Sequence, residues 1–542
     1  MSSAEMEENL LGMYPAEELE ELNKSATLLS TEDEKKRAHD EARGRVPVTY
    51  KGVLGGILQY AWRNNFVSRL CRVKGIGLRF VLITFILYGL DQGGIHSLNE
   101  LGRVYFFRDR GYEPAETQRA IAYTDMSWNI KPIFAILMDT MPLAGYHFRS
   151  WLLIFGTLGT LSYSLVAVAP NMLSDAMFIF AMWAGMNAVV WNDSALDGAT
   201  MLKIKEHPAV DTELPSWQQV SLMSCSVIFS LVSGFIIQFL GLQRTYGIVA
   251  VISLCATVAG VMLPDPRTTQ PMSLRRMRAS FISILSCFKN KWYYRIFIYQ
   301  LLSSLSFDLN GLMIFWYNDV AHFSKGFQGA IIATGWIVAL VAVVVNATFC
   351  KHVQFRTIFA ICAISQAFIS SLDLLLVCVA KDHFWGHFIA LSDRAALKAA
   401  GKLKFIITMV AVSEYTPPGG ETTATALLAA AGNFAGGDFL GPVAGSWLID
   451  GLQIKDGDYT NLPWAILVRS LIRLLPLPFI PFLIPRGSSY SKKAFVAAEL
   501  HAENAAASRA GGDDHEYSKL DDIELAKEEE HDDDPEHVHS ER

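Results

Sequence analysis

The sequence predicts an all-α polytopic membrane protein: twelve transmembrane helices arranged as two halves of six. Hydrophobic residues make up 51% of the chain and charged residues only 18%, and the mean hydropathy is positive. The charges gather in the first 75 residues, a central stretch and the segment from 487 onward. Between these blocks run apolar segments of about twenty residues, the length that crosses a hydrocarbon core roughly 30 Å thick. By length alone, 542 residues would suggest several soluble domains, and composition excludes that reading.

An N-terminal tail over 1–75 and an acidic tail over 487–542 carry runs such as EKKRAHDEARGR and AKEEEHDDDPEH. Both hold too little apolar surface to offset ordering, so they are expected to be largely disordered and cytosolic. The start of the chain lacks an apolar core after a basic stretch and is too acidic for a transit peptide, so the first span is expected to direct insertion uncleaved.

The first half, 76–263, contains apolar segments near 78–98, 118–142, 150–169, 174–195, 216–240 and 244–263. The second, 293–486, contains segments near 293–316, 327–349, 355–380, 404–420, 422–449 and 464–484. Polar, Gly and Pro residues interrupt the second, tenth and eleventh, as expected where backbone lines a cavity instead of facing lipid. Arg63, Arg69, Arg72, Lys74 and Arg79 precede the first segment, and the connection at 264–292 is strongly basic. By the positive-inside rule both belong in the cytosol, and an even number of spans then places both termini there. The basic stretch containing Lys381, Arg394, Lys398, Lys402 and Lys404, read as the loop after the ninth segment, opposes that pattern.

The seven cysteines form no CxxC pair or metal spacing and read as packing residues, without a disulfide framework. No metal, cofactor or nucleic-acid partner is expected. A P-loop, a Gly-x-Gly-x-x-Gly fingerprint and an HExxH motif are all absent from the sequence, which speaks against an ATP-driven pump and against soluble enzyme chemistry.

The informative residues are ionisable ones within or at the ends of the apolar segments: Asp91, Asp125, Lys131, Asp139, Asp193, Asp197, Asp308, Glu414, Asp438, Arg469 and Arg473. Each costs roughly 2.5–3.5 kcal/mol to insert at mid-membrane, so its default meaning is a functional cavity. Asp139, Asp197 and Asp450 are placed to cap helix ends or snorkel. Asp91, Lys131, Asp308 and Arg473 are expected to face the cavity, the alternative being buried ion pairs that hold helices together. Arg469 and Arg473 are four apart, on one helical face, and such a pair suits a carboxylate. Lys131 and Asp139 are roughly 12 Å apart along a helix and therefore serve separate ends of it. Trp183, Trp191, Trp316 and Trp336 can stack on a planar ligand or simply pack.

Weak internal symmetry supports the six-plus-six division. LYGLDQGGIHSLN in the first segment and LSFDLNGLMIFWYND in the seventh each place an Asp near mid-helix, followed by Gly. Two such halves around a midplane site resemble the major facilitator architecture. Asp139, Gly145 and Arg149 resemble the cytosolic gating loop that follows the second span in such carriers.

The stretch WNIKPIFAILMDTMPLAGYHFRSWLLIFG resembles the second-span signature of the folate–biopterin transporter family, through Lys131, Pro132, Asp139, Pro142, Gly145, Arg149 and Trp151. Ala135 and Ile136 stand where that family carries a Gly. A second match lies in WNDSALDGATMLKIKE, at Asp193, Ala195, Leu196, Asp197 and Gly198. The resemblance covers most of residues 50–490 and implies secondary active transport of folates or pteridines, with protons as the coupling ion. A pterin edge would be held by Asp91, Asp193 or Asp308, and a folate glutamate tail by Lys131, Arg469 or Arg473. Asp91, Asp308, Glu414 and Asp438 are the candidates for carrying the proton. The expected setting is the lipid bilayer of the plasma membrane, as a monomer. The alternatives are a carrier of another small solute, such as an amino acid or nucleoside derivative, and a non-transporting receptor or scaffold on the same fold.

Overall fold

The computed structural model of the protein describes residues 66–73, 75–207, 210, 213–268, 273–349, 353–380, 384–413 and 421–485. The predicted C-terminal tail, most of the N-terminal tail, Lys381 and Glu414 lie outside these residues. The chain divides after Arg69 into two units, and the helical bundle belongs to the second, Leu70–Arg542.

Apart from two isolated bridges, Leu143–Tyr146 and Lys455–Asp458, all regular structure among the described residues is helical. In the first half these helices are α1 (Gly77–Asp109), α2 (Pro114–Asp125), α3 (Lys131–Thr140), α4 (Arg149–Val168), α5 (Asp175–Glu206), α6 (Glu213–Leu240) and α7 (Leu242–Val261). The central connection contains α8 (Leu274–Cys287). The second half contains α9 (Lys291–Ser304), α10 (Asn310–Asp319), α11 (Lys325–Phe349), α12 (Phe355–Ser370), α13 (Phe384–Ser413), α14 (Glu421–Ala435), α15 (Leu440–Gly451) and α16 (Leu462–Ile472). Among the described residues, seven helical runs are long and apolar enough to cross a bilayer: Gly77–Asp109, Arg149–Val168, Glu213–Leu240, Leu242–Val261, Lys325–Val343, Phe355–Val379 and Leu462–Leu483.

Local chemistry explains the helix ends. α2 opens on a capping box between Glu113 and Glu116 with Pro114 at its first position, which satisfies amide groups that the helix leaves unbonded. α5 opens on Ser174 and Asp175 and closes with Lys203 and Lys205, so charge of the right sign meets each end of its dipole. The surface is apolar where lipid would lie, with Leu161, Phe235, Phe239, Val258 and Phe368 exposed, whereas Ser226, Ser230, Ser233, Ser253 and Thr257 are buried. Such small polar residues let helices approach and bond: the Thr160 hydroxyl donates to Ser253 Oγ across α4 and α7 at 3.2 Å.

The helices lose regularity where the sequence places charge. α1 widens into π turns over Phe85–Ile95, around Asp91. A 3-10 turn, Met126–Ile130, precedes Lys131 and Pro132. Residues 305–309, around Asp308, lack helical structure between α9 and α10, and residues 436–439, around Asp438, form a turn between α14 and α15. α16 ends at Ile472, so Arg473 is its cap. The two breaks of the second half meet: the Asp308 amide donates to the Gly441 carbonyl at 3.0 Å, and any Cβ at Gly445 would overlap the Asp308 backbone.

The tenth segment differs from expectation. The predicted basic loop and the predicted span at 404–420 are replaced by α13, one helix of 30 residues containing Arg394, Lys398, Lys402 and Lys404. The ammonium groups lower the local hydropathy enough to mimic a loop.

At the face carrying residues 110–113 and 452–461, ion pairs join the halves: Arg108 to Asp319 at 2.6 Å and to Asp456 at 3.1 Å, and Arg119 to Asp450 at 2.5 Å. The Asp456 amide also donates to Glu113 Oε2 at 2.9 Å. Asp450 thus has an ion-pair partner across the halves, where a helix-end cap or snorkel was expected. Beneath these contacts an apolar cluster of Leu101, Val104, Tyr105, Leu312, Phe315, Trp316, Phe323, Ile449 and Ile466 fills the space between the halves.

Candidate functional site

In the first half, Lys131 extends from the start of α3 to two carboxylates one turn apart on α5, Asp193 at 2.5 Å and Asp197 at 2.7 Å. The Tyr88 hydroxyl, in the π-turned stretch of α1, donates to Asp197. The ammonium thereby joins α3 to α5, and Asp197 joins α5 to α1. The two sequence signatures, well separated along the chain, supply the same cluster. Nearby, Asp91 is buried and accepts from the Asn192 side chain at 2.8 Å.

A second buried pair joins Arg103 of α1 to Asp125 at 2.5 Å, with the Thr124 hydroxyl accepting from the same guanidinium at 2.7 Å. The charged neighbours of Asp438 are Asp125, Arg103 and Asp308, so this pair lies close to both breaks of the second half. Those of His96 are Glu100, Asp125, Arg103 and Lys398. Lys398 reaches Glu100 across the halves at 3.4 Å and stands over the Trp336 ring at 3.9 Å.

In the second half, Arg469 pairs with Asp373 at 2.6 Å and donates to the Ser370 carbonyl at 3.1 Å, all of it buried. Arg473, one turn on, lines a cavity of about 110 Å³ together with Ser306, Asp308, Asn310, Tyr317, Asp373 and Arg469. A second cavity of about 180 Å³ shares Ser306, Gly437 and Arg473 and extends to Ser303, Gln366 and Lys404. Lys404 donates to the Ser303 carbonyl at 2.8 Å, beside the unwound 305–309 stretch. Asp308 itself is turned toward its own chain at one oxygen, which accepts from the Asn310 amide at 2.8 Å. Asp308, Arg473 and Lys404 therefore converge on adjoining cavities, and Arg469 stands behind them in an ion pair.

The loop after α3 is a tight turn, with Ala144 and Gly145 at φ +53° and +81° and reciprocal bonds of 3.0 Å between Leu143 and Tyr146. The Gly145 carbonyl accepts from the Thr268 amide at 2.9 Å. Arg149 donates through Nε to the Val261 carbonyl at 2.7 Å and stacks on Tyr146. Asp265 accepts from the amides of Phe148 and Arg149, at 2.7 and 3.0 Å, and so caps α4. Asp139 has His147 and Lys205 as charged neighbours, and among the described residues no ion pair joins it to Arg149. The carboxylate holding this loop is Asp265, which the sequence reading did not single out.

Arg103, Asp373, Lys398 and Lys404 were also missed. Arg103 lies beyond the predicted end of the first span at 98, and α1 runs on to Asp109. Asp373 lay inside the predicted ninth span, where its charge in an apolar run was the available signal. Of the tryptophans, Trp191 is buried in a stack with Phe134 and Phe155, at ring distances of 4.5 and 4.2 Å, and Trp316 is buried in the cluster that seals the halves. Both serve packing.

An apolar exterior, charges at helix breaks and a cavity lined by them define a multi-pass membrane transport protein of the major facilitator fold. The chain belongs to the BT1 family, which matches residues 92–495. It is 26% identical over 431 residues to the probable folate-biopterin transporter 2 of Arabidopsis thaliana, covering 76% of this chain and 84% of that one. It is 24% identical over 407 residues to the folate-biopterin transporter of Synechocystis, covering 74% and 81%. Its fold is similar to the crystal structure of the nucleoside transporter NupG, with a TM-score of 0.57 and 14% identity over 75% of this chain and 98% of that one.

Proposed function

We propose that this chain is a twelve-span carrier that moves folate or pteridines across a membrane by alternating access, coupled to protons. The observation that carries the reading is the convergence of Asp308, Arg473 and Lys404 on adjoining cavities at the helix breaks. A pterin offers a 2-amino-4-oxo edge that one carboxylate can grip through two hydrogen bonds, and folate adds a glutamate tail that requires cations. Asp308 suits the first, and Arg473 with Lys404 suits the second. Lys131, held by Asp193 and Asp197, belongs to the framework or the proton path in this reading, and Asp91 and Asp438 remain proton carriers in it. The names of the two relatives support the same substrates.

Uptake of labelled folate and biopterin into proteoliposomes, with and without a pH gradient, tests the proposal. Uptake of at least one, stimulated when the source side is acidic, is expected; no uptake of either under any gradient overturns it. Arg473→Ala should lower folate uptake by about 10–100-fold, the loss of one charge-assisted hydrogen bond of roughly 1.5–3 kcal/mol, and should affect biopterin much less. Equal losses would assign Arg473 to the framework.

Alternating access is supported by the ion pairs that join the halves at one face. Replacing both Arg108 and Arg119 with Ala should favour opening there by about two- to thirtyfold, since partly exposed pairs contribute roughly 0.2–1 kcal/mol each. Labelling of Asn310→Cys by a water-soluble reagent added at that face reads the change; an unaltered rate removes these pairs from the gate. We place both termini in the cytosol and the protein in the plasma membrane, and removal of either tail by protease on intact cells contradicts that placement.

A further inference from the structure

The central connection contains a helix whose outer surface the transport reading leaves unused. α8 has the sequence LRRMRASFISILSC, with no acidic residue. One side packs on α3 and α14, and its start is tied to α3 by the Ser273 amide, 3.4 Å from the Thr140 carbonyl. On the other side, Leu274, Phe281, Ile282 and Leu285 are between 39% and 68% exposed. At 100° per residue these four fall on one arc of about 100°; Arg278, also exposed, falls within it and the exposed Arg275 borders it.

Four large apolar side chains left partly facing water forgo favourable burial that an apolar layer would supply. Nothing on the helix suits an aqueous cationic or acidic partner better than a surface that is apolar beneath and anionic above. Its position agrees. α9 starts four residues after Cys287 and brings Trp292 and Tyr294, with Arg295 stacked on Trp292 at 4.9 Å. Aromatic and basic residues at the end of a span mark the interfacial layer.

We propose that α8 lies in the headgroup layer and binds anionic lipid, its four apolar side chains entering the acyl boundary and Arg275 and Arg278 holding lipid phosphates. Because α8 touches both α3 of the first half and α14 of the second, the lipid surface holds a brace between the halves.

Hydrogen exchange across residues 274–287 tests this without any substrate, so its failure is distinct from failure of the transport reading. The full chain is placed in discs of phosphatidylcholine alone or of phosphatidylcholine with phosphatidylglycerol. An arginine near an anionic surface contributes a factor of about five (roughly 1 kcal/mol), so with two of them exchange is expected to be about 25-fold slower in the anionic discs. In the Arg275→Gln, Arg278→Gln double variant the difference should shrink to about twofold or less. Equal exchange in the two lipids overturns the proposal, as does a difference that survives the substitutions. Inorganic phosphate reproducing the slowing in phosphatidylcholine discs would point to a free-anion site and overturn it too.

Discussion

Asp373→Ala should lower the unfolding stability of the purified protein by about 3–5 kcal/mol, the range for orphaning one partner of a buried ion pair. Arg469 and Asp373 are 2.6 Å apart with side chains only 4% and 2% exposed, so removing one leaves the other charge buried. The Ser370 carbonyl also accepts from Arg469, but a neutral acceptor does not replace a carboxylate. Thermal unfolding in detergent measures the loss. Combining Asp373→Leu with Arg469→Met should recover most of it, because two apolar side chains need no partner. A single substitution that costs less than about 1 kcal/mol would show that water reaches the pair.

Lys131→Met should abolish transport of folate and biopterin alike, by about a hundredfold. It leaves Asp193, which is buried, and Asp197 facing each other with no cation between them. A loss of about 3 kcal/mol, borne by the transport-competent state, corresponds to a factor of that size. Adding Asp193→Asn removes the orphaned buried charge and should restore expression and folding, with uptake then reporting whether the carboxylate itself is required. Selective loss of folate uptake after Lys131→Met would instead mean that this ammonium meets the glutamate tail directly.

Much of the site was legible because a charge in an apolar run is expensive. Asp91, Lys131, Asp308, Asp438 and Arg473 stood out for that reason, and each lies at a departure from regular helix or at a helix end. Their partners were not legible. Spacing separated Lys131 from Asp139 correctly, but only packing reveals that α5 stands across from it with Asp193 and Asp197. The same holds for Arg469 of α16 and Asp373, which lies in the short helix Leu372–Leu375 just after α12. Sequence reading failed most clearly at α13, where lysines that face inward look like a loop to any hydropathy average. Asp265, which caps α4 beside the Asp139 loop, was not legible, because its partners are backbone amides far away in the chain.

The ion pairs at the face carrying residues 110–113 and 452–461 differ in their access to water: the side chains of Arg119 and Asp450 are 33% and 54% exposed, those of Arg108 and Asp319 only 21% and 18%. Dissolved ions screen such contacts over roughly 8 Å at physiological strength and over 3 Å at 1 M. The apolar cluster beneath them is insensitive to this screening. Added salt at that face is therefore expected to weaken the outer ion pairs while the apolar seal beneath them keeps its strength.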